Sequence, residues 1–160
     1  MDGKMSNYDL TKIIPQRAPM IFLSDVEKFD YENQELVARV DVRETDLMYD
    51  KNLGGIPSCA SLEFMAQSVG CCVGLNDLHD NPNATPAVGF VLGSRKISVY
   101  KPVYLVGHSY FVHVKSMFFD NNIASFDCRV VDEDDNIIAD GTLNAFRPDD
   151  ITKFMESNNE

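Results

Sequence analysis

One carboxylate stands alone in the most apolar stretch of the chain. Residues 59–75 are rich in small and helix-forming residues, and Glu63 is their only ionisable acid or base apart from thiols. A carboxylate in apolar surroundings is costly unless it is hydrogen-bonded or protonated, so acid/base work on a bound ligand would explain it. Gln67 lies one helical turn later on the same face, where it could orient Glu63. The alternatives are a carboxylate that reaches solvent or a cation, and a glutamine that makes an ordinary polar contact.

The residues just before Glu63 suggest a second kind of chemistry. If a helix starts after Pro57, the backbone N–H groups of Ser58 and Cys59 have no partner within it and could polarise a carbonyl group. Cys59 could also be a nucleophile, but no histidine lies near it in the sequence to activate it.

The sequence predicts neither a metal site nor a cofactor site. None of the cysteines has CxxC spacing, so we expect buried, reduced thiols; they are Cys59, Cys71, Cys72 and Cys128. The acidic run 132–136 resembles the start of a calcium loop, but Ile137 and Leu143 replace the glycine and glutamate such a loop needs. A solvated turn is the better interpretation.

The charge balance excludes one class of partner. The formal net charge is −11, from 14 Lys and Arg against 25 Asp and Glu, so no concentrated basic surface for nucleic acid is expected. The densest basic stretch contains Arg95, Lys96 and Lys101. It could meet an acidic partner, or it could be a solvated strand edge.

Alternating polar and apolar residues predict about six strands. In 35–43, the apolar residues Leu36, Ala38, Val40 and Val42 alternate with charged ones, which indicates one buried face. The predicted strands are 20–29, 35–43, 87–100, 108–119, 123–131 and 137–147. Residues 120–122 and 132–136 are predicted hairpin turns.

The segment 59–78 is too long for a strand and predicts a helix, with Ser58 as a hydroxyl N-cap and an end before Pro82. It has no charged stripe, so the fold should cover it nearly all round, and Gly70 and Gly74 would let strands approach its axis. One long buried helix with an antiparallel sheet curled around it is the α+β hot-dog fold.

The length predicts one domain over residues 1–160, with a core at about 8–148 and a polar tail at 149–160 that forms a short helix near 151–155. No uninterrupted apolar stretch reaches the roughly 18 residues of a membrane span, and no leader pattern opens the chain. We therefore expect a soluble, cytoplasmic protein.

Several short motifs, in order, resemble the 3-hydroxyacyl-acyl-carrier-protein dehydratases of fatty-acid synthesis. They are Ile14-Pro15-Gln16-Arg17-Ala18-Pro19-Met20, Ser24-Asp25-Val26, Leu62-Glu63-Phe64-Met65-Ala66-Gln67, and Lys101-Pro102-Val103 with Gly107. Within that superfamily, Gly54-Gly55-Ile56-Pro57 and the ending at 144–150 look most like the branch found in aryl-polyene biosynthesis clusters.

The resemblance implies a substrate and a role for Glu63. The substrate would be a 3-hydroxyacyl thioester on an acyl carrier protein or coenzyme A, and Glu63 would bind the 3-hydroxyl and donate a proton as water leaves. Arg95, Lys96 and Lys101 could then meet the carrier. The resemblance also implies a homodimer or higher oligomer.

One position departs from the family. The housekeeping dehydratases have a histidine fourteen residues before the helix carboxylate, and here that position is Tyr49. Imidazole suits proton abstraction near neutrality and a phenol does not. Tyr49 could be a replacement proton-transfer group, a tunnel wall or a loop residue, and the sequence gives no reason to choose among His79, His108 and His113 as a substitute. The alternatives to a dehydratase are therefore an acyl thioesterase, or a non-catalytic acyl-binding partner of a histidine-bearing dehydratase in a heterodimer.

Overall fold

An antiparallel sheet wraps around one long helix in the computed structural model, which describes residues 8–159. The strands are β1 Asp25–Asp30, β2 Glu35–Asp41, β3 Gly55–Pro57, β4 Phe90–Val99, β5 Val103–Leu105, β6 Ser109–Asp120, β7 Ile123–Val131 and β8 Ile137–Phe146. The helices are α1 Ser61–Asp80 and α2 Ile151–Ser157, with 3-10 turns at Leu10–Lys12 and Ser58–Ala60. This is the predicted α+β hot-dog architecture.

Six strands form the main sheet in the order β1-β2-β6-β7-β8-β4, and every neighbouring pair is antiparallel. The alternation of polar and apolar residues predicted the buried face correctly: Leu36, Ala38, Val40 and Val42 are all nearly inaccessible. The two predicted turns join β6 to β7 and β7 to β8. In the second turn Asp132 accepts hydrogen bonds from the backbone of Asp134 and Asn136, as expected of an ordinary polar turn.

Two features differ from the predicted strands. The strand predicted at 20–29 begins five residues later, at Asp25, and ends at Asp30. The sequence also gave no sign of the short pair β3–β5, which forms a second sheet. A side chain at Gly55 would meet the carbonyl oxygen of Tyr104, so glycine permits this close pairing.

The predicted N-cap of the central helix is wrong. Ser58 begins a 3-10 turn, and the α-helix starts three residues later, at Ser61, with no side-chain cap. The Ser58 N–H donates to the carbonyl of Pro102 at 3.0 Å, and the Ser61 hydroxyl donates to the Ser58 carbonyl at 2.6 Å. The chain is thus still attached to the β5 side at Ser58, and it must turn tightly before the α-helix can begin.

The helix was predicted to be covered nearly all round, and one of its faces is only half-buried. A stripe of half-buried residues along one face borders a cavity; its members are Glu63, Ala66, Gly70, Val73 and Asp77. The glycines also act differently than expected, because the N-terminal segment approaches them rather than a strand. A side chain at Gly74 would meet the carbonyl oxygen of Ile13, and one at Gly70 would touch the Ile14 side chain.

By length and composition alone, the stretch Ser58–Asp80 could cross a membrane. In the fold, 61% of its most apolar window is buried. The sheet packs against it, so it is the core helix of the domain.

The tail helix α2 is close to the one predicted, and it packs on the sheet. Asp150 caps it by accepting a hydrogen bond from the Lys153 N–H. The ring of Phe154 lies 5.3 Å from that of Phe90 and 5.6 Å from that of Phe146. The tail therefore covers the aromatic end of the sheet.

The cysteines divide into two groups, whereas the sequence predicted four buried thiols. Cys71, Cys72 and Cys128 are buried, and burial raises the pKa of each thiol to about 12. Cys59 is exposed, because it sits on the outer side of the 3-10 turn before α1.

We expect one thiol of the native protein to react quickly with a disulfide reagent, and all four to react after unfolding. Only the thiolate is reactive, and the three buried thiols are both shielded and protonated. Titration with and without denaturant measures this. Cys59→Ser should remove the fast reaction, and a fast phase that persists in this variant would contradict the assignment.

Candidate active site

A cavity of about 270 Å³ lies between α1 and the sheet. Along the helix it runs from Glu63 to Asp77, a rise of about 21 Å at 1.5 Å per residue. Its other walls come from the N-terminal segment, the start of β4, the β6–β7 hairpin and the end of β8. The aromatic residues in these walls are Phe90, Phe119, Phe126 and Phe146. The cavity suits an extended apolar ligand.

Glu63 is held at one end of this cavity by Gln67. The Gln67 side chain is fully buried, and its Nε2 donates to the Glu63 Oε1 at 2.9 Å and to the Met20 carbonyl at 2.7 Å. Its Oε1 accepts the Phe22 N–H at 3.0 Å. The predicted contact between Gln67 and Glu63 is therefore present, and the segment at 20–22 fixes it.

The two carboxylate oxygens of Glu63 have different surroundings in this hydrogen-bond network. Oε1 accepts the amide hydrogen of Gln67, whereas Oε2 has no hydrogen-bond partner among the described residues. In a neutral carboxyl the proton would thus sit on Oε2, since Oε1 serves as the acceptor. Glu63 is half-buried and borders the cavity, so the arrangement can donate a proton to a ligand there.

The start of the helix has fewer free backbone N–H groups than predicted. Of the two N–H groups expected to be free, that of Ser58 is already bonded to the Pro102 carbonyl. This leaves Cys59 N–H as the candidate donor, next to Pro57 at the end of β3, and neither residue is among those that border the cavity. Beneath them the Tyr104 hydroxyl contacts the Ser61 hydroxyl, and burial raises the pKa of Tyr104.

Tyr49 does not border the cavity. It is half-buried in the loop before β3, where its backbone N–H donates to the Asp46 carbonyl at 3.0 Å. In the single chain Tyr49 is therefore a loop residue, and its roles in proton transfer or as a tunnel wall stay predictions.

None of the three histidines borders the cavity either. His79 stacks on Tyr31 at the end of α1, with ring centroids 3.6 Å apart, and His108 lies beside Glu133. His113 borders a separate pocket among β2, β6 and β7, and burial lowers its pKa, with Arg129 adding to the effect. The described part of the chain thus brings no imidazole to Glu63.

The three basic residues lie away from the cavity wall and are all exposed. Arg95 and Lys96 belong to the irregular middle of β4, and neither forms an ion pair within residues 8–159. Lys101 follows β4 and pairs with Asp132 at 3.2 Å.

Gln16 is a polar cavity residue that the sequence reasoning did not single out. Its Oε1 is the one buried side-chain oxygen without a hydrogen-bond partner in the described chain. Two neighbours of Gln16 in the sequence contact α1 close to Glu63: the Ile14 side chain lies near Gly70, and the Met20 carbonyl accepts a hydrogen bond from Gln67. Gln16 lies between them and therefore near Glu63. The signal was its place between Pro15 and Arg17 in the first motif.

Fold and site together define a hot-dog protein with a carboxylate at one end of an elongated, largely apolar cavity. The chain belongs to the ApeP-like dehydratase family, whose model matches residues 8–156. This confirms the family resemblance predicted from the motifs. A comparison with curated proteins gave no match.

Solved structures agree on the fold. The chain is similar to one in the dehydratase heterocomplex ApeI:P from Xenorhabdus doucetiae, with 22% identity and a TM-score of 0.85 over 97% of this chain and 100% of that chain. It is also similar to a hypothetical thioesterase with coenzyme A from Streptococcus pneumoniae, with 13% identity and a TM-score of 0.60 over 78% and 84% of the two chains. The PaaI protein of E. coli gives 10% identity and a TM-score of 0.57 over 78% of each chain.

We expect Gln67→Leu to lower the free energy of unfolding by about 2 kcal/mol or more, because the Phe22 N–H and the Met20 carbonyl lose their buried partner. Urea denaturation measures this. Gln34→Leu is the matched control: its amide bonds only to Asn76 and the Tyr31 carbonyl in a half-buried position, so its effect should be smaller. Equal effects would show that the Gln67 network has no special weight.

Proposed function

We propose that this chain removes water from 3-hydroxyacyl thioesters, with Glu63 as the acid. The observation that carries the proposal is the Glu63 carboxylate, bonded through Oε1 to a buried amide and bordering an apolar cavity with Oε2 unengaged. Membership of the ApeP-like dehydratase family supports the reaction class.

The proposed step breaks the C2–H and C3–O bonds of the substrate. A base takes the C2 proton, the electrons of that bond form the C2–C3 double bond, and the hydroxyl leaves with the proton of Glu63 as water. The thioester carbonyl would accept a hydrogen bond from Cys59 N–H, which stabilises the charge that develops when C2 is deprotonated. Gln67 would keep Oε2 directed at the 3-hydroxyl.

We propose that the base comes from a second chain, a histidine-bearing related dehydratase. The support is that no histidine of the described chain borders the cavity. The similar chain in the ApeI:P structure comes from a dehydratase heterocomplex, which makes a heterodimer the preferred arrangement over a homodimer.

The edge strand β4 is the proposed place of contact. Its flank exposes Val91, Leu92, Val99 and Tyr100, whereas the opposite edge β1 exposes the charged Glu27 and Lys28. Charges on an edge discourage strand addition and apolar residues favour it, so the proposed contact is made by the apolar ends of β4 and leaves its basic middle, Arg95 and Lys96, exposed. The start of β4 pairs with Phe146 at the far end of the cavity, so a partner there would lie beside the acyl chain, and its base would have to come from a part that extends to Glu63.

The proposed setting is the cytoplasm. Three of the four free thiols are buried, and no disulfide forms among the described cysteines, which suits a reducing compartment.

In the decisive assay, the purified protein is incubated either alone or together with a histidine-bearing related dehydratase. Each sample receives 3-hydroxyacyl thioesters or saturated acyl thioesters as substrate. We expect enoyl product from the complex, and Glu63→Gln to lower the rate about a hundredfold or more because the amide cannot donate the proton. Glu32→Gln, an exposed carboxylate in the β1–β2 turn, is the matched control and should keep full activity.

The other outcomes would select the alternatives. Thiol released from saturated substrates, and lost in Glu63→Gln, would identify a thioesterase in which the carboxylate activates water. Full enoyl production by the complex of the Glu63→Gln chain would mean that this chain is a non-catalytic partner.

Arg95 and Lys96 are the proposed contacts of an acidic carrier protein, since they are exposed cations without ion-pair partners in the described chain. We expect Arg95→Glu with Lys96→Glu to lower kcat/KM about tenfold for a carrier-linked substrate and to leave it unchanged for a short pantetheine-type thioester. Lys28→Glu, on the opposite edge of the sheet, is the control. Equal losses on both substrates would point to damage of the fold instead.

A further inference from the structure

The far end of the cavity is charged. Asp77 is the last cavity residue along α1, and Arg147 is the last along the β8 side. The Arg147 Nη1 donates to the Asp77 Oδ2 at 2.6 Å, and 35% and 29% of the two side chains are exposed. The pair therefore lies at the charged end of a cavity whose middle is apolar.

The pair is held in place from both sides. Asp77 belongs to the last turn of α1, and the Arg147 N–H donates to the Asn122 carbonyl at 2.9 Å, in the β6–β7 turn. Val73, one turn before Asp77, and Phe146, just before Arg147, are the apolar residues that precede it. A ligand that extends from Glu63 along the helix meets these residues first and the ion pair next.

An alkyl chain that reaches the pair would press a methyl group against two partly desolvated charges. It would remove water from them without offering a hydrogen bond in return, which is unfavourable. Up to that point, each added methylene gains apolar contact. The contribution of each added methylene to the binding free energy thus changes from favourable to unfavourable where the apolar wall ends.

We infer that the Asp77–Arg147 ion pair is a specificity determinant that sets the longest straight acyl chain this site accepts. The inference rests on the proposed function, because it places the reacting end of the substrate at Glu63. It assigns the two residues a role at the opposite end of the substrate from the chemistry.

The test measures kcat/KM of the active complex on straight-chain 3-hydroxyacyl thioesters lengthened two carbons at a time. For the native chain, kcat/KM should rise with length and then fall about tenfold or more when the terminal methyl reaches the pair. Asp77→Ala with Arg147→Ala should move that fall to longer chains and leave short substrates unaffected. If the double variant proves too unstable to assay, Asp77→Leu with Arg147→Met removes the charges with less loss of volume.

Two control variants separate a length stop from a structural tie between α1 and β8. Arg147→Lys keeps a cation and should keep the native limit. Glu35→Ala with Lys115→Ala removes a 2.7 Å ion pair that does not border this cavity, and it too should keep the limit. The inference is overturned if the Asp77/Arg147 variant lowers kcat/KM equally at all lengths, or if its limit stays where it was.

Failure of this inference differs from failure of the proposed function. If the native complex makes no enoyl product from any chain length, the proposed reaction is wrong. If it dehydrates short chains, and the longest accepted chain is the same with and without the ion pair, only the assignment of Asp77 and Arg147 is wrong.

Discussion

A buried amide cannot be left without hydrogen-bond partners, and that constraint organises the site of this protein. Gln67 is fully buried on α1, and the backbone of Met20 and Phe22 satisfies its side chain together with Glu63. The same side chain thus joins the N-terminal segment to the central helix and sets the direction of the carboxylate. Moving the N-terminal segment would break the hydrogen bonds of Gln67 and so also change the position of Glu63.

The cavity exists because small residues line one face of the helix. Ala66 and Gly70 fill little space beside Glu63, and the backbone of Ile13 lies directly against Gly74. This explains why the helix has no charged stripe although one face is not packed against the sheet: the open face borders an apolar space instead of bulk solvent. A helix of this composition would otherwise expose apolar surface without a purpose.

Charged side chains lie at the two ends of the cavity. Glu63 stands at one end of the cavity and the Asp77–Arg147 pair at the other, with aromatic and aliphatic walls between them. The sheet follows a related pattern, since its β1 edge is charged and its β4 edge is apolar with a basic, irregular middle. Arg95 and Lys96, in the middle of β4, form no ion pair among the described residues of this protein of net charge −11.

The sequence by itself determined the fold class, the central helix, most strand bounds and the family, because alternation and helical spacing are local properties and the motifs lie within short segments. It also indicated Glu63 and Gln67, which are one turn apart on one helix. Only the tertiary structure decided the rest. The partners of Gln67 lie 45 and 47 residues away, the Ser58 N–H is taken by Pro102, and Gln16 and Arg147 reach the cavity from opposite ends of the chain. Contacts between distant segments follow from how elements pack, and no local pattern encodes them.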